Sequence, residues 1–174
     1  LLSGIARADR WPELRPSAIP AVLRCAATLA DVVIVDCAAV LELDEEITFD
    51  TLAPRRNGAT VAVLQAADVV VAVGSGDPPG MERLARGYVD LVAVADEIDL
   101  RLVINRVRSG AASPPELREA AARFCGVEPV AYLPEDRDAL DLAWRRGAGL
   151  SEVATKSPLM QALGELSRTV LAAG

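Results

Sequence analysis

Histidine is absent from the 174 residues, and with it go the commonest general base and transition-metal ligand. Chemistry in this chain must rest on carboxylates, arginine, backbone amides or a hard metal ion. Cysteine is scarce. Cys25, Cys37 and Cys125 are too few and too scattered for a disulfide framework or a zinc site, and they read as small buried hydrophobes of a reducing, cytoplasmic protein. Aromatic residues make up only 3% although 52% of the chain is hydrophobic. The core must therefore be built from Ala, Val, Leu and Ile, the mixture of closely packed helices and parallel strands. No apolar run approaches the roughly 20 residues that span a bilayer, and no signal-peptide pattern opens the chain. Basic residues are outnumbered, 18 against 25 acidic ones, giving a formal charge of −7. That field repels phosphate and excludes broad nucleic-acid affinity, though not a local basic patch.

Lysine is nearly missing as well. A phosphate loop of the form G-x-x-x-x-G-K-[ST] needs one to reach the outer phosphates, and the only lysine is Lys156, in "EVATKSP". Thr155 and Leu150 stand where that motif requires glycine, and no strand leads in, so the sequence contains no such loop. An initiating Met is also lacking: the chain opens on "LLSGI", already apolar and strand-like, which reads as a start inside a larger protein.

Five short apolar runs are predicted as strands: "LLSGI", "DVVIVD", "DVVVAVG", "LRLVIN" and "EPVAYLP". Helical stripes lie between them. Ile19, Val22, Leu23, Ala26 and Ala30 share one face, as do Met81, Leu84, Tyr88, Leu91 and Val92. Capping chemistry marks helix starts at Asp77-Pro78, at Ser113 with Pro114 and Glu116, and at Ser157-Pro158. The last helix carries Leu159, Leu163, Leu166 and Val170. Strand and helix alternate without a hairpin signal. The expectation is one α/β domain over residues 1–174, a mainly parallel sheet with helices on both faces.

In such a sheet ligands gather at the carboxyl ends of strands. There the sequence puts Asp36, then Gly74-Ser75-Gly76-Asp77, then Asn105-Arg106, then Pro134-Glu135-Asp136. The glycine turn "VVVAVGSGDPPGM" has the outline of a phosphate cradle. Its glycines are one residue out of register for G-x-G-x-x-G, however, and Pro78 and Pro79 remove two helix-start amides, which favours a plain tight connection. Asp36 closes a β-branched run as a magnesium-facing Walker B carboxylate would, or else caps a helix or turn. The side-chain amide of Asn105 offers a donor and an acceptor to a purine edge.

In combination and in this order, "LADVVIVDCAAVLE", "TVAVLQAADVVVAVGSGDPPGMERLARGYVDL", "LRLVINRVR" and "VAYLPEDRDALDLAWRRGAGLSEVATKSPLMQALGELSRTVL" resemble the carboxyl-terminal two-thirds of the MinD/ParA family of P-loop ATPases. Within that family they look most like the CpaE-like and septum-site-determining branch. The resemblance implies a P-loop NTPase fold lacking its amino-terminal Walker A unit, which belongs upstream of Leu1. It implies a Walker B and switch role for Asp36, with magnesium held through water. It further implies adenine-side contacts from Asn105, Arg106 and the Pro134-Glu135-Asp136 loop, and ATP with magnesium as cofactors of the intact parent, neither bound tightly by this chain alone. Arg55 and Arg56, in "APRRN", fall where the family contacts phosphate or a partner subunit; the alternative is a solvated basic turn.

The implied activity is that of an ATPase that sites a division septum or a pilus or secretion apparatus, acting as a homodimer with a protein partner from that machine. Two differences from the family stand out: the phosphate loop is missing, and the switch "DCAAVLELDEE" is alanine-rich and acidic. They keep a second expectation in view, a non-catalytic scaffold that binds its partner without nucleotide control. A third is a different enzyme on the same fold, such as an ATP-dependent ligase. The carboxyl end "SRTVLAAG" is not a basic amphipathic helix, so direct membrane insertion is not expected. For this chain alone the reading predicts no ATPase activity and an apolar sheet edge prone to self-association.

Overall fold

A computed structural model describes residues 1–5, 7–39, 41, 57–94 and 99–172. The chain divides into two compact units, Leu1–Ala67 with Asp90–Ile98, and Asp68–Val89 with Asp99–Gly174.

The second unit holds a three-stranded sheet, β1 (Val69–Ser75), β2 (Asp99–Val107) and β3 (Ala131–Pro134), in the order β1-β2-β3. Both pairings are parallel, as the absence of hairpin signals requires. The predicted alternation of strand and helix holds here, and so does the predicted covering of both faces. Leu102, Val103 and Ile104 of β2 are all but fully buried, because consecutive side chains point to opposite faces and each face meets a helix. On one face Leu102 and Ile104 pack with Leu84 of α3 (Pro78–Val94) and with Leu117, Ala121 and Cys125 of α4 (Pro114–Cys125). On the other, Val103 and Leu133 pack with Leu159 of a carboxyl-terminal helix, Pro158–Leu171, supported by Ala162, Leu163 and Leu166.

The helix starts follow local chemistry. Glu116 reaches back to the start of α4, its carboxylate accepting from the Ser113 N–H at 2.7 Å and from the Ser113 hydroxyl at 2.6 Å. The Ser157 hydroxyl accepts from the Met160 N–H at 3.0 Å. Gly126, at φ 74, ends α4 in the left-handed region that glycine adopts without strain. After β3 the chain forms α5 (Arg137–Arg146) and the short α6 (Leu150–Val153), and then the helix just described, here α7.

The first unit contains two 3-10 turns, Ala8–Glu13 and Pro16–Ala18, and the helices α1 (Ile19–Ala27) and α2 (Gly58–Ala66). The α1 stripe is only partly covered: Ile19, Leu23 and Ala26 are half-buried, while Val22 is exposed.

Two predicted strands do not form among the described residues. "LLSGI" and "DVVIVD" adopt no regular structure, and Ile34 is 90% exposed. β-Branched residues fit a pleated, half-buried surface rather than dictating one. Among the described residues no neighbouring strand supplies that surface to either run, so the composition of a strand is present without its pairing.

Candidate functional site

The carboxyl ends of β1, β2 and β3 meet at one rim. The Gly76 N–H donates to the Asn105 carbonyl at 2.8 Å, and the Glu135 N–H donates to the Val107 carbonyl at 3.0 Å. These bonds bring the Ser75-Gly76-Asp77 turn, Asn105, Arg106 and the Pro134-Glu135-Asp136 loop into a single neighbourhood.

At β1 the geometry answers the question of the glycine turn. The first two helical positions of α3 are proline and have no N–H. The next two amides are already engaged, Gly80 by the Asp77 carboxylate at 2.9 Å and Met81 by the Asp77 carbonyl at 2.9 Å. Of the amides at the first three helical positions, none is left for an anion. The Ser75 hydroxyl also donates to Asp77. That bond is the main reason the Asp77 carboxyl lies below the usual carboxylate range; the Gly80 N–H adds to it, and Arg83 and Arg108 contribute less. "VGSGDPPG" is thus a self-capped strand-to-helix connection with a fixed negative charge, unsuited to phosphate.

At β2 the register with β3 slips between Ile104 and Val107. Asn105 and Arg106 sit in this irregularity, inside the strand rather than beyond its end. Arg106 has φ 56, a left-handed backbone uncommon for a residue with a Cβ. Its N–H donates to the Asn105 side-chain oxygen at 2.8 Å, which offsets part of that strain. The consequence for recognition is specific: Asn105 has already committed its acceptor and can present its NH2 group as a donor, while Arg106 projects from an exposed position. Strained backbone of this kind concentrates at functional sites.

At β3 the predicted loop divides its labour. Asp136 caps α5, accepting from the Ala139 N–H at 3.2 Å, and so serves the helix. Glu135 is held between two arginines, accepting from Arg137 at 2.9 and 3.0 Å and facing Arg108 at 3.8 Å. Sequence reasoning did not single out Arg108 and Arg137. The signal available was the i, i+2 spacing of Arg106 and Arg108 across the end of β2, together with the basic residue after Pro-Glu-Asp.

No protein-family model matches the sequence, and no curated protein matches it. Solved structures do match. The ParA family ATPase from Chlorobium tepidum TLS superposes with a TM-score of 0.71 at 18% identity, covering 98% of this chain and 62% of that one. The fold is ParA/MinD-like. The MinD cell division protein of Aquifex aeolicus superposes with a TM-score of 0.64 at 18% identity, covering 99% of this chain and 64% of that one. This chain therefore spans less than two thirds of the length of either structure.

The remaining predicted residues of this ParA/MinD-like chain lie outside the rim unit. Asp36 belongs to the first unit, in an exposed segment without regular structure, and closes no strand among the described residues. The buried strand that was expected to fix it is absent there. Its neighbour Cys37 has a thiol pushed up mainly by partial burial and secondarily by the Asp36 charge, as suits a packed rather than a reactive cysteine. Arg55 and Arg56 lie outside the described residues, as does the acidic part of the switch. Among the described residues no group of three or more Asp, Glu or Cys side chains is gathered to hold a metal, and no helix is long and apolar enough to cross a membrane.

Proposed function

We propose that this chain is the switch and base-recognition portion of a ParA/MinD-like ATPase that positions a division septum or a pilus or secretion apparatus from the cytoplasm. The observation that supports the reading most is the rim itself: Asn105, Arg106 and Glu135 converge at the carboxyl ends of parallel strands, where such sheets take their ligands. In this reading the Asn105 NH2 group donates to the acceptor edge of adenine, with Arg106 and the Pro134-Glu135-Asp136 loop beside it. By the family resemblance Asp36 would hold the water shell of magnesium, and Arg55 and Arg56 would sense the phosphates or a partner subunit. Bound Mg-ATP supplies the γ-phosphoryl group whose hydrolysis releases the protein partner from a homodimer. The residues of the rim fit the base end of a nucleotide; the β1–α3 turn offers nothing to its phosphates.

The test is isothermal titration of Mg-ATP into the longest natural polypeptide containing this chain, with and without Asn105→Ala. Binding that weakens at least tenfold in the variant is expected. Absence of heat and of hydrolysis in a protein with an intact phosphate loop refutes the reading.

A second reading is a scaffold that binds its partner without nucleotide control. It is favoured by the local commitments of the rim, since the Asn105 oxygen, Asp77 and Asp136 each satisfy backbone of this chain. It requires an Asp36→Ala protein to bind the partner as wild type does, and a clear defect in that variant excludes it.

A further inference from the structure

The hydrogen-bonding capacity left at the rim is one-sided. Asn105 carries an oxygen and an NH2 group, and its oxygen is taken by the Arg106 N–H at 2.8 Å. Backbone fixes that bond, because Arg106 sits at φ 56 within the slip in register between Ile104 and Val107. Turning the amide over would set an NH2 group against an N–H and leave both without an acceptor. The carboxylates of the rim are engaged as well. Asp77 accepts from the Ser75 hydroxyl and the Gly80 N–H, Asp136 from the Ala139 N–H, and Glu135 from Arg137 while facing Arg108. Nearby carbonyls are used too, that of Asn105 by Gly76, that of Val107 by Glu135 and that of Asp136 by Leu140. At Asn105 and Arg106 the groups left without a partner among the described residues are the NH2 group and the guanidinium, and both are donors only.

Purines differ in what they offer such a pair. A 6-aminopurine sets the acceptor N7 beside a donor amine, and a side-chain amide holds that edge bidentately only with its oxygen and its NH2 group both free. A 6-oxopurine sets two acceptors, O6 and N7, side by side, the edge that arginine and other donors read. The rim keeps its donors and has committed the Asn105 acceptor, so it complements the second edge better than the first.

We propose that Asn105 and Arg106 read the six position of a purine as an acceptor, so that 6-oxopurine nucleotides bind at least as tightly as ATP. The inference rests on the reading that the rim takes the base end of a nucleotide, and it specifies which purine that base can be. Asn105 is half-buried and Arg106 exposed, so water can satisfy the amine of adenine. The bias toward the 6-oxo base is therefore modest, up to about tenfold, near the low end of what a bidentate base contact discriminates. A pocket built to accept a hydrogen bond from the amine would instead reject the 6-oxo analogue by roughly 10⁴-fold.

Competition titration of Mg-ATP against Mg-ITP, the inosine nucleotide, on the longest natural polypeptide containing this chain tests the proposal. The two ligands differ only in the six substituent of the base and the adjoining N1 proton. The expected dissociation constant of Mg-ITP equals that of Mg-ATP or lies up to about tenfold below it. Asn105→Asp keeps an oxygen for the Arg106 N–H and replaces the NH2 donor by an acceptor, so the ratio should turn in favour of ATP. The added charge repels the phosphates of both ligands alike, which leaves the ratio to report the base contact. Should that variant fail to fold, the wild-type ratio still decides. A wild-type protein that binds Mg-ATP more tightly than Mg-ITP overturns the proposal, as does a ratio that Asn105→Asp leaves unmoved; in both cases bound Mg-ATP leaves the nucleotide reading itself standing. Binding of neither ligand overturns both.

Discussion

Replacing a glycine of α3 by alanine should have opposite effects at two positions seven residues apart. Gly80 lies in the first turn, where a Cβ would stand 2.5 Å from the Ser75 Cβ and 2.6 Å from the Ser75 carbonyl oxygen. The carbonyl is backbone at the end of β1 and cannot rotate aside, so either the helix start or the strand end must move. That movement also strains the bond from the Gly80 N–H to Asp77. Overpacking of this kind costs about 1–3 kcal/mol, and a backbone contact puts Gly80→Ala near about 3 kcal/mol. The better helix propensity of alanine offsets up to about 1 kcal/mol, leaving a net loss of about 2 kcal/mol. Gly87, in the middle of the same helix, has nothing within 4 Å of its would-be Cβ. There only the propensity acts, and Gly87→Ala should stabilise by about 0.5–1 kcal/mol. Urea unfolding followed by far-UV circular dichroism reads both: with a slope near 2 kcal/mol per molar, the Gly80→Ala midpoint falls by about 1 M and the Gly87→Ala midpoint rises. A Gly80→Ala midpoint at or above wild type refutes the close approach of α3 to the end of β1.

Leu102→Ala removes a side chain only 1% exposed between two helices and should cost about 2–5 kcal/mol in the same assay, whereas Trp144→Ala on the surface should change stability by less than about 0.5 kcal/mol. Asp136→Ala should lower stability by about 1 kcal/mol through loss of the α5 cap, with Asp136→Asn close to neutral; equal losses in both would assign Asp136 a role that needs its charge. The Asp77 carboxyl is held below its ordinary value in the folded state. Its contribution to stability is therefore complete above the unfolded value of about 3.9 and disappears as pH falls through the lower folded value. Ser75→Ala removes the largest cause of that depression, and carboxyl-carbon NMR titration should show the Asp77 midpoint move up toward the ordinary range. An unmoved midpoint would show that Ser75 is not the cause.

Features that depend on a few neighbouring residues were legible in the sequence. The caps at Asp77, Ser113 and Ser157 formed where expected, because a side chain and an amide three residues apart meet whenever the helix begins. The β2 run was readable as a doubly buried strand because its apolar residues are continuous. Less legible was what the rim residues do once assembled. Asn105 carries the same amide in any context, yet its oxygen is turned to the Arg106 N–H only because a slip in register puts Arg106 at positive φ. Glu135 pairs with Arg108 only because β2 and β3 are neighbours.

The sequence by itself determined the helix starts, the parallel character of the sheet and the absence of a phosphate loop, since each follows from residue types at fixed local spacing. Tertiary structure alone decided which β-branched runs became strands. "DVVVAVG" and "DVVIVD" are nearly indistinguishable in composition, but a strand exists only when a neighbour accepts its hydrogen bonds. β2 does so for Val69–Ser75, and among the described residues nothing does so for residues 31–36.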